Sequence, residues 1–153
     1  MTAEKLGAAG VEMIGVIGTA ADRARLYFRY RRPRYLVAAD PDLTSHRAFG
    51  VPSKAFTEEI FKVVNGKLDG FAQEAGISAP PGGAWQAFDR EDGIQPNEFA
   101  SDVERHRVQL TGQFLIDGQG VIRWSNIETE RDGLEGLDRF PSDEELLAAA
   151  RAL

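Results

Sequence analysis

The strongest constraint on the fold is a compact apolar run that leads directly into a helix. Residues 11–18 are rich in β-branched side chains and follow Gly10, which is typical of a strand buried on both faces. Thr19 stands three residues before Asp22, as at a helix start, and the helix predicted there must end before Pro33. A buried strand followed at once by a helix is typical of a parallel sheet.

The same order then repeats along the chain. Residues 35–39 form a second short apolar run, which stops at Asp40, Pro41 and Asp42. Residues 43–49 predict a brief helix, which Gly50 ends. Strand, helix, strand and helix in succession predict a parallel crossover of α/β type.

The remaining segments predict further helices and one hairpin. Residues 53–65 place apolar side chains at helical spacing, and Asn65-Gly66 predicts where that helix ends. Periodicity is lost over about residues 66–108, so we expect an irregular insertion with one or two short helical pieces. Residues 113–116 and 121–124 flank a glycine-rich turn and predict an antiparallel hairpin, and the spacing of Ser142 and Glu145 predicts a capped closing helix.

Length and hydropathy indicate one domain over residues 1–153. With 153 residues, 42% of them hydrophobic, the chain can bury one core. Its longest apolar run falls short of the roughly 20 residues that span a bilayer. Residues 1–10 lack the basic start and apolar middle of a secretory signal. We therefore expect a cytoplasmic protein without a membrane partner.

The chain contains no cysteine. Disulfides, thiolate nucleophiles and thiolate zinc sites are therefore excluded for these residues. His46 and His106 stand sixty positions apart, so no metal site is predicted. Gly118 and Gly120 form a lone Gly-x-Gly inside the hairpin, which does not support dinucleotide binding. No cofactor is predicted.

Charge is uneven along the chain, whose net charge is -6. Six arginines fall within residues 23–34 and alternate with aromatic residues, a composition typical of phosphate or nucleic-acid surfaces. Arg29, Arg31 and Arg32 are the candidate anion-binding residues. The competing interpretation is a helix whose apolar face packs on the sheet while its arginines are solvated. The acidic chain and the lack of a second basic element favour that interpretation over nucleic-acid binding.

Three sequence blocks occur in a familiar order. Residues 10–16 read Gly-Val-Glu-Met-Ile-Gly-Val, residues 39–52 hold Ala-Asp-Pro-Asp and then His-Arg-Ala-Phe-Gly-Val-Pro, and residues 112–117 read Gly-Gln-Phe-Leu-Ile-Asp. Together they resemble the alkyl hydroperoxide reductase and thiol-specific antioxidant (AhpC/TSA) family of peroxiredoxin-like proteins. The resemblance implies a thioredoxin-like α/β fold, with parallel crossover strands, a C-terminal antiparallel hairpin and helices on both faces. It also implies a family role as a thiol-dependent antioxidant oxidoreductase.

Two chemical landmarks of that family are missing. In the family, the strand matching residues 11–18 follows a central strand, a turn with the reactive cysteine and a long helix, of which residues 1–9 match only the tail. The chain is thus expected to be an N-terminally truncated member. Family members place a cis-proline or an arginine where this chain has Thr111. Thr111, Gly112, Phe114 and Asp117 are therefore family-motif positions without chemistry, and no catalytic residue is predicted.

Three hypotheses on function follow, and none identifies a partner. The chain is a non-catalytic module or fragment used in interaction, the C-terminal part of an active thiol oxidoreductase that starts upstream, or a phosphate or nucleic-acid binder acting through residues 23–34. The missing central strand would leave the strands at residues 11–18 and 113–116 with unpaired edges. We expect these two strands to pair directly, and the protein to be marginally stable or to self-associate.

Overall fold

The structure is a computed structural model that describes residues 2–29, 32–94, 104 and 108–153. The described residues form α-helices and short strands, which alternate from Thr2 to Glu74, and this confirms the predicted mixed α/β class. The helices are α1 (Thr2–Ala8), α2 (Ala21–Tyr27), α3 (Thr44–Ala48), α4 (Glu58–Glu74), α5 (Ala84–Glu91) and α6 (Asp143–Arg151), with a 3-10 helix at Gly133–Gly136. The strands are β1 (Ile14–Ile17), β2 (Leu36–Ala39), β3 (Ser53–Lys54), β4 (Val108–Gln109), β5 (Gly112–Ile116) and β6 (Ile122–Ile127).

Among the described residues, the strands form three separate two-stranded sheets. β1 and β2 are parallel, with Ile14 beside Leu36 and Ile17 beside Ala39. Because α2 connects these two strands, the predicted parallel crossover is confirmed. α2 ends at Tyr27, several residues before Pro33, and the short helix α3 follows β2 as predicted.

The predicted hairpin is also present. β5 and β6 are antiparallel, with Gln113 beside Asn126 and Leu115 beside Trp124. β3 and β4 form the third, very short antiparallel pair. The closing helix α6 begins where its capping box predicts, because the Ser142 hydroxyl accepts a hydrogen bond from the Glu145 backbone N–H at 3.1 Å.

The prediction that the first strand is buried on both faces is wrong. Ile14 is 59% exposed and Val16 is 45% exposed, whereas the alternate residues Gly15 and Ile17 are partly buried. α2 packs against β2 on the partly buried side. A sheet of only two strands has little surface of its own, and the side that carries Ile14, Val16 and Leu36 is exposed.

The expected direct pairing of β1 with β5 is wrong as well, because the two strands belong to different sheets. The hairpin is instead buried by the two terminal helices. Leu115 of β5 forms a buried cluster with Leu6 of α1 and Ala150 of α6, and Trp124 packs against this cluster. The apolar side chains of α1 and α6 thus bury the hairpin face, and β1 and β5 are not paired by hydrogen bonds.

Both bounds of the helix predicted at residues 53–65 are wrong. Residues 53–54 form β3, and α4 begins only after Thr57, whose side chain accepts a hydrogen bond from the Ile60 backbone N–H. α4 then continues through Gly66 to Glu74. A glycine inside a helix costs roughly 1 kcal/mol, and burial of Ile60 and Ala72 offsets that cost.

The segment predicted as an irregular insertion is partly helical. The second half of α4 and all of α5 lie within residues 66–94, and α4 packs against α5. Residues 95–103 and 105–107, with His106, lie outside the described residues. A second buried cluster of Val51, Ile60, Leu110 and Leu137 joins α4 to the start of the hairpin and to the segment after the 3-10 helix.

Candidate functional site

The carboxyl ends of β1 and β2 carry the most concentrated polar contacts. The backbone N–H of Asp40 donates to the Ile17 carbonyl at 2.8 Å, which places its side chain just beyond the sheet. Asp40 Oδ1 accepts from the Thr44 N–H at 2.9 Å. Its Oδ2 accepts from the Ser45 N–H at 2.7 Å and from the Ser45 hydroxyl at 2.5 Å. Carboxyl ends of parallel strands are the usual place for ligand sites.

These donors set the ionisation of the carboxylate. The Ser45 hydroxyl, followed by the backbone N–H groups of Thr44 and Ser45, lowers the pKa of Asp40 to about 2. Asp40 is therefore ionised at every ordinary pH. Its negative charge lies at the start of α3, where it satisfies free N–H groups of the first turn.

Asp40, Ser45 and His46 include the residue types of a hydrolytic triad but not its geometry. The Ser45 hydroxyl donates to the carboxylate, whereas a serine nucleophile must donate to the imidazole. His46 Nδ1 lies 3.7 Å from Asp40 Oδ2, too far for a hydrogen bond, and is buried without a hydrogen-bond partner. The cluster caps α3 and does not activate a nucleophile.

The turn before α3 is held by close packing. Leu43 is buried and has a φ of 53°, the left-handed region that non-glycine residues rarely adopt. A Cβ atom at Gly18 would meet Leu43 Cδ2 at 2.5 Å, so any larger residue at position 18 would require the Leu43 side chain to move. Tight packing of Leu43 against the end of β1 explains why the chain tolerates the strained backbone there.

The family-motif positions have structural roles on the hairpin. The Thr111 N–H donates to Glu128 Oε2 at 2.8 Å, and the Thr111 carbonyl accepts from the Glu128 N–H at 2.9 Å. A Cβ at Gly112 would meet Val51 Cγ2 at 2.7 Å, so this position has no room for a side chain. The ring of Phe114 lies 4.9 Å from that of Phe49. None of these side chains borders a reactive group among the described residues.

Asp117 stabilises the hairpin turn. Its Oδ1 accepts from the backbone N–H groups of Gln119 and Val121, each at 2.9 Å, and its Oδ2 accepts from Arg123 Nε at 2.7 Å. The Val121 N–H, then the Arg123 side chain, lowers the pKa of Asp117. The carboxylate therefore stabilises the turn that connects β5 and β6.

Glu128 is a nearly buried carboxylate that the sequence analysis did not single out. It follows β6 directly, is 9% exposed, and accepts backbone N–H groups from Thr111 and Asp138. It thereby joins the start of β5 to the segment after the 3-10 helix. No local pattern marks it in the sequence, because both of its partners are distant along the chain.

A cavity of about 340 Å³ lies beside Glu128. Arg131 and Arg139 line it, and each lies near an acidic residue: Arg131 is 3.5 Å from Glu145, and Arg139 is 2.6 Å from Asp132. The two cations are therefore balanced by neighbouring carboxylates, and both oxygens of Glu128 already accept hydrogen bonds. These charged side chains therefore already have partners within the chain.

Two of the three candidate anion-binding arginines, Arg29 and Arg32, lie in the described part of the chain. Arg29 donates to the Gly93 carbonyl at 3.2 Å. Arg32 is exposed, and Arg31 lies outside the described residues. Arg29 and Arg32 follow the end of α2 at Tyr27, whereas Arg23 and Arg25, two other arginines of residues 23–34, lie on that helix.

An exposed apolar surface, which we call the open face, lies on β1 and β2. It consists of Ile14, Val16, Leu36 and Ala38, which share one side of the sheet because Ile14 pairs with Leu36 and Val16 with Ala38. Ile14 is 59%, Val16 45% and Leu36 65% exposed. Both faces of a parallel sheet are normally covered, so an apolar face left open is a candidate interaction surface.

A groove of about 480 Å³ between α1 and the two strands adjoins the open face at Leu36. Tyr35, Glu12 and Arg34 line it. Arg34 forms an exposed ion pair with Glu4 of α1 at 2.5 Å, and this arginine lowers the pKa of Glu4. Glu12 has no hydrogen bond or ion pair with the described residues, so its carboxylate is available at the end of the open face.

Within residues 2–29, 32–94, 104 and 108–153, no group of three or more histidine or acidic residues is placed to hold a metal ion. No helix in these ranges combines the length and apolar character needed to cross a membrane.

Comparisons with known proteins give no match to any family model, curated protein or solved structure.

Proposed function

We propose that this chain is a peroxiredoxin-like module of the AhpC/TSA type, with a thioredoxin-like fold over residues 1–153, that binds a protein partner in the cytoplasm and performs no thiol chemistry. The proposal is supported by the three motif blocks, by the parallel unit β1–α2–β2 and by the C-terminal hairpin. The observation that carries the binding role is the open face, an uncovered apolar side of a parallel strand pair.

The absence of thiol chemistry follows from the reaction itself. Peroxide reduction requires a thiolate aligned with the O–O bond, and the chain has no cysteine. The Ser45 hydroxyl cannot replace it, because the peroxide oxygen is transferred to a sulfur atom, which becomes a sulfenic acid, and a hydroxyl oxygen cannot be oxidised in this way.

Activity measurements on the purified 153-residue chain test this proposal. We expect no reduction of hydrogen peroxide or organic hydroperoxides with thioredoxin, glutathione or dithiothreitol as the reductant. A Thr111→Cys variant controls for nonspecific thiol reactivity in the same fold. Turnover by the unmodified chain that exceeds the no-protein control and disappears on unfolding would overturn the proposal.

A second proposal is that the chain is the C-terminal part of an active thiol peroxidase or oxidoreductase that starts upstream. The separation of the β1–β2 and β5–β6 sheets among the described residues favours it, because the family's central strand would lie between the two corresponding strands. The genomic DNA before Met1 tests it. In-frame codons for an apolar strand followed by cysteine would support this proposal, and an in-frame stop codon would contradict it.

A further inference from the structure

The open face carries opposite charges at one end. Ile14 and Val16 lie on one side of β1, and Leu36 and Ala38 lie on the same side of β2. Glu12 and Arg34 are exposed, and each stands two residues before the first residue of its strand. Glu12 and Arg34 both line the groove that adjoins Leu36, so both lie near the beginning of the two strands. The surface is therefore apolar along the strands, with one acidic and one basic residue at the end where both strands begin.

We propose that the open face binds the open face of a second copy of this chain, about a two-fold axis parallel to β1 and β2. The inference rests on the proposed binding role and names its partner. Such an axis lays β1 over β2 of the partner subunit. Ile14 then meets Leu36 of the partner subunit, while the branched Val16 meets the small Ala38 of the partner subunit. All four side chains of each copy are covered.

Charge complementarity identifies a second copy as the occupant. The same axis brings Glu12 to Arg34 of the partner subunit, and symmetry repeats this pair. Glu12 has no ionic partner among the described residues of its own chain, whereas Arg34 shares an ion pair with Glu4 in which both side chains are more than half exposed. Exposed pairs of that kind contribute little, so Arg34 can also bind Glu12 across the interface.

The charges also select one orientation. A two-fold axis in the plane between the sheets but perpendicular to the strands would bury the same apolar residues. It would carry Glu12 to the far end of the partner's strands, away from Arg34 of the partner subunit. The groove beside Leu36, which Tyr35 lines, continues the contact surface towards α1.

Light scattering coupled to size-exclusion chromatography tests the interface. We expect the unmodified chain to be a dimer, Leu36→Glu to be a monomer with an unchanged far-ultraviolet circular dichroism spectrum, and Phe56→Glu to remain a dimer. Phe56 is the matched control because it is 58% exposed and lies outside the open face. A monomeric unmodified chain, a dimeric Leu36→Glu variant or a monomeric Phe56→Glu variant would each overturn the proposal.

A charge exchange tests the orientation. Glu12→Arg and Arg34→Glu should each weaken the dimer by about tenfold in dissociation constant, since each places like charges together twice. The double variant should recover most of the lost affinity. Failure of the double variant to recover would overturn the arrangement about the parallel axis.

Cross-linking keeps the proposal falsifiable if Leu36→Glu does not fold. Because the chain has no cysteine, a single Ile14→Cys substitution introduces one reactive thiol. A short bis-maleimide should link two such chains, and it should not link chains that carry Phe56→Cys. Absence of the cross-linked Ile14→Cys product would overturn the dimer.

Peroxide turnover measured on the same samples separates the dimer from the proposed function. Turnover by a dimer would contradict only the non-catalytic role. A monomer without turnover would contradict only the dimer.

Discussion

At the scale of single residues, acidic side chains stabilise this chain by accepting backbone N–H groups. Asp40 caps the start of α3, Asp117 closes the hairpin turn, and Glu128 joins two distant segments. Each carboxylate oxygen accepts strong, charge-assisted hydrogen bonds and so replaces water at donors that the secondary structure leaves unpaired. These three acidic residues therefore have structural roles.

The ionisation of Asp40 predicts a loss of stability in acid. Its pKa is about 2 in the folded chain against an ordinary 3.8, so its carboxylate stabilises the folded state above about pH 4. That stabilisation is lost as the pH falls from about 4 to 2. Urea unfolding over this range should show the free energy of unfolding of the unmodified chain falling towards that of Asp40→Asn. Asp42→Asn, in the same loop, is the control, and its free energy of unfolding should change with pH as that of the unmodified chain does. An equal loss of stability in Asp40→Asn between about pH 4 and 2 would contradict the prediction.

Backbone strain at Thr129 gives a second prediction at this scale. Thr129 has a φ of 67°, which glycine adopts without strain and a β-branched residue does not. Thr129→Gly should be more stable than Thr129→Ala by about 1 kcal/mol in urea unfolding. Ser125, an exposed residue of β6, provides the control, because there the alanine variant should be the more stable of the two. The same order at both positions would refute the strain.

At the scale of secondary-structure elements, local sequence determines where elements begin, and tertiary packing determines how far they extend. Ser142 caps α6 as its spacing predicts. α4 passes through Gly66 because Ile60 and Ala72 are buried against other elements. Short helices such as α1 and α3 are marginal in isolation and depend on these contacts.

The cap of α6 can be tested directly. Ser142→Ala should lower the free energy of unfolding by about 1 kcal/mol, because the Glu145 N–H loses its acceptor. Ser142→Asp should retain most of the stability, since aspartate also caps helices. Ser78→Ala, at an exposed position without regular secondary structure, serves as the control. An equal effect of the two alanine substitutions in urea unfolding would contradict the capping role.

The sequence predicted those parts of the fold that depend on neighbours along the chain. The β1–α2–β2 crossover, the turn at Asp117 and the start of α6 all follow from local patterns. Glu128 was not predictable, because its partners Thr111 and Asp138 are brought together only by folding. The open face was not predicted for a related reason, because an apolar run in the sequence does not show whether other elements pack on both faces of the strand.

At the scale of the whole molecule, the described residues form two small hydrophobic cores instead of a single large one. Leu6, Leu115 and Ala150 form one cluster, and the other contains Ile60 and Leu110. The open face belongs to neither cluster. Its burial in a dimer would add a third apolar contact, which is intermolecular and therefore depends on protein concentration.

Thermal unfolding should show that dependence. For the unmodified chain, Tm should rise by about 2 °C for each tenfold increase in protein concentration, because association binds only the folded state. Differential scanning calorimetry over three decades of concentration measures this shift. Leu36→Glu should have a Tm that does not change with concentration. A Tm of the unmodified chain that is equally constant would argue against coupled folding and association.

The separation of the three sheets also determines how the backbone opens. Because no described hydrogen-bond ladder joins β1–β2 to β5–β6, each strand pair can lose its amide protection without the other. Native-state hydrogen exchange of this chain should therefore give two groups of amides with different opening free energies. The amides of β5 and β6, held by α1 and α6, belong to the slower group, and those of β1 and β2 exchange sooner unless their apolar side is covered.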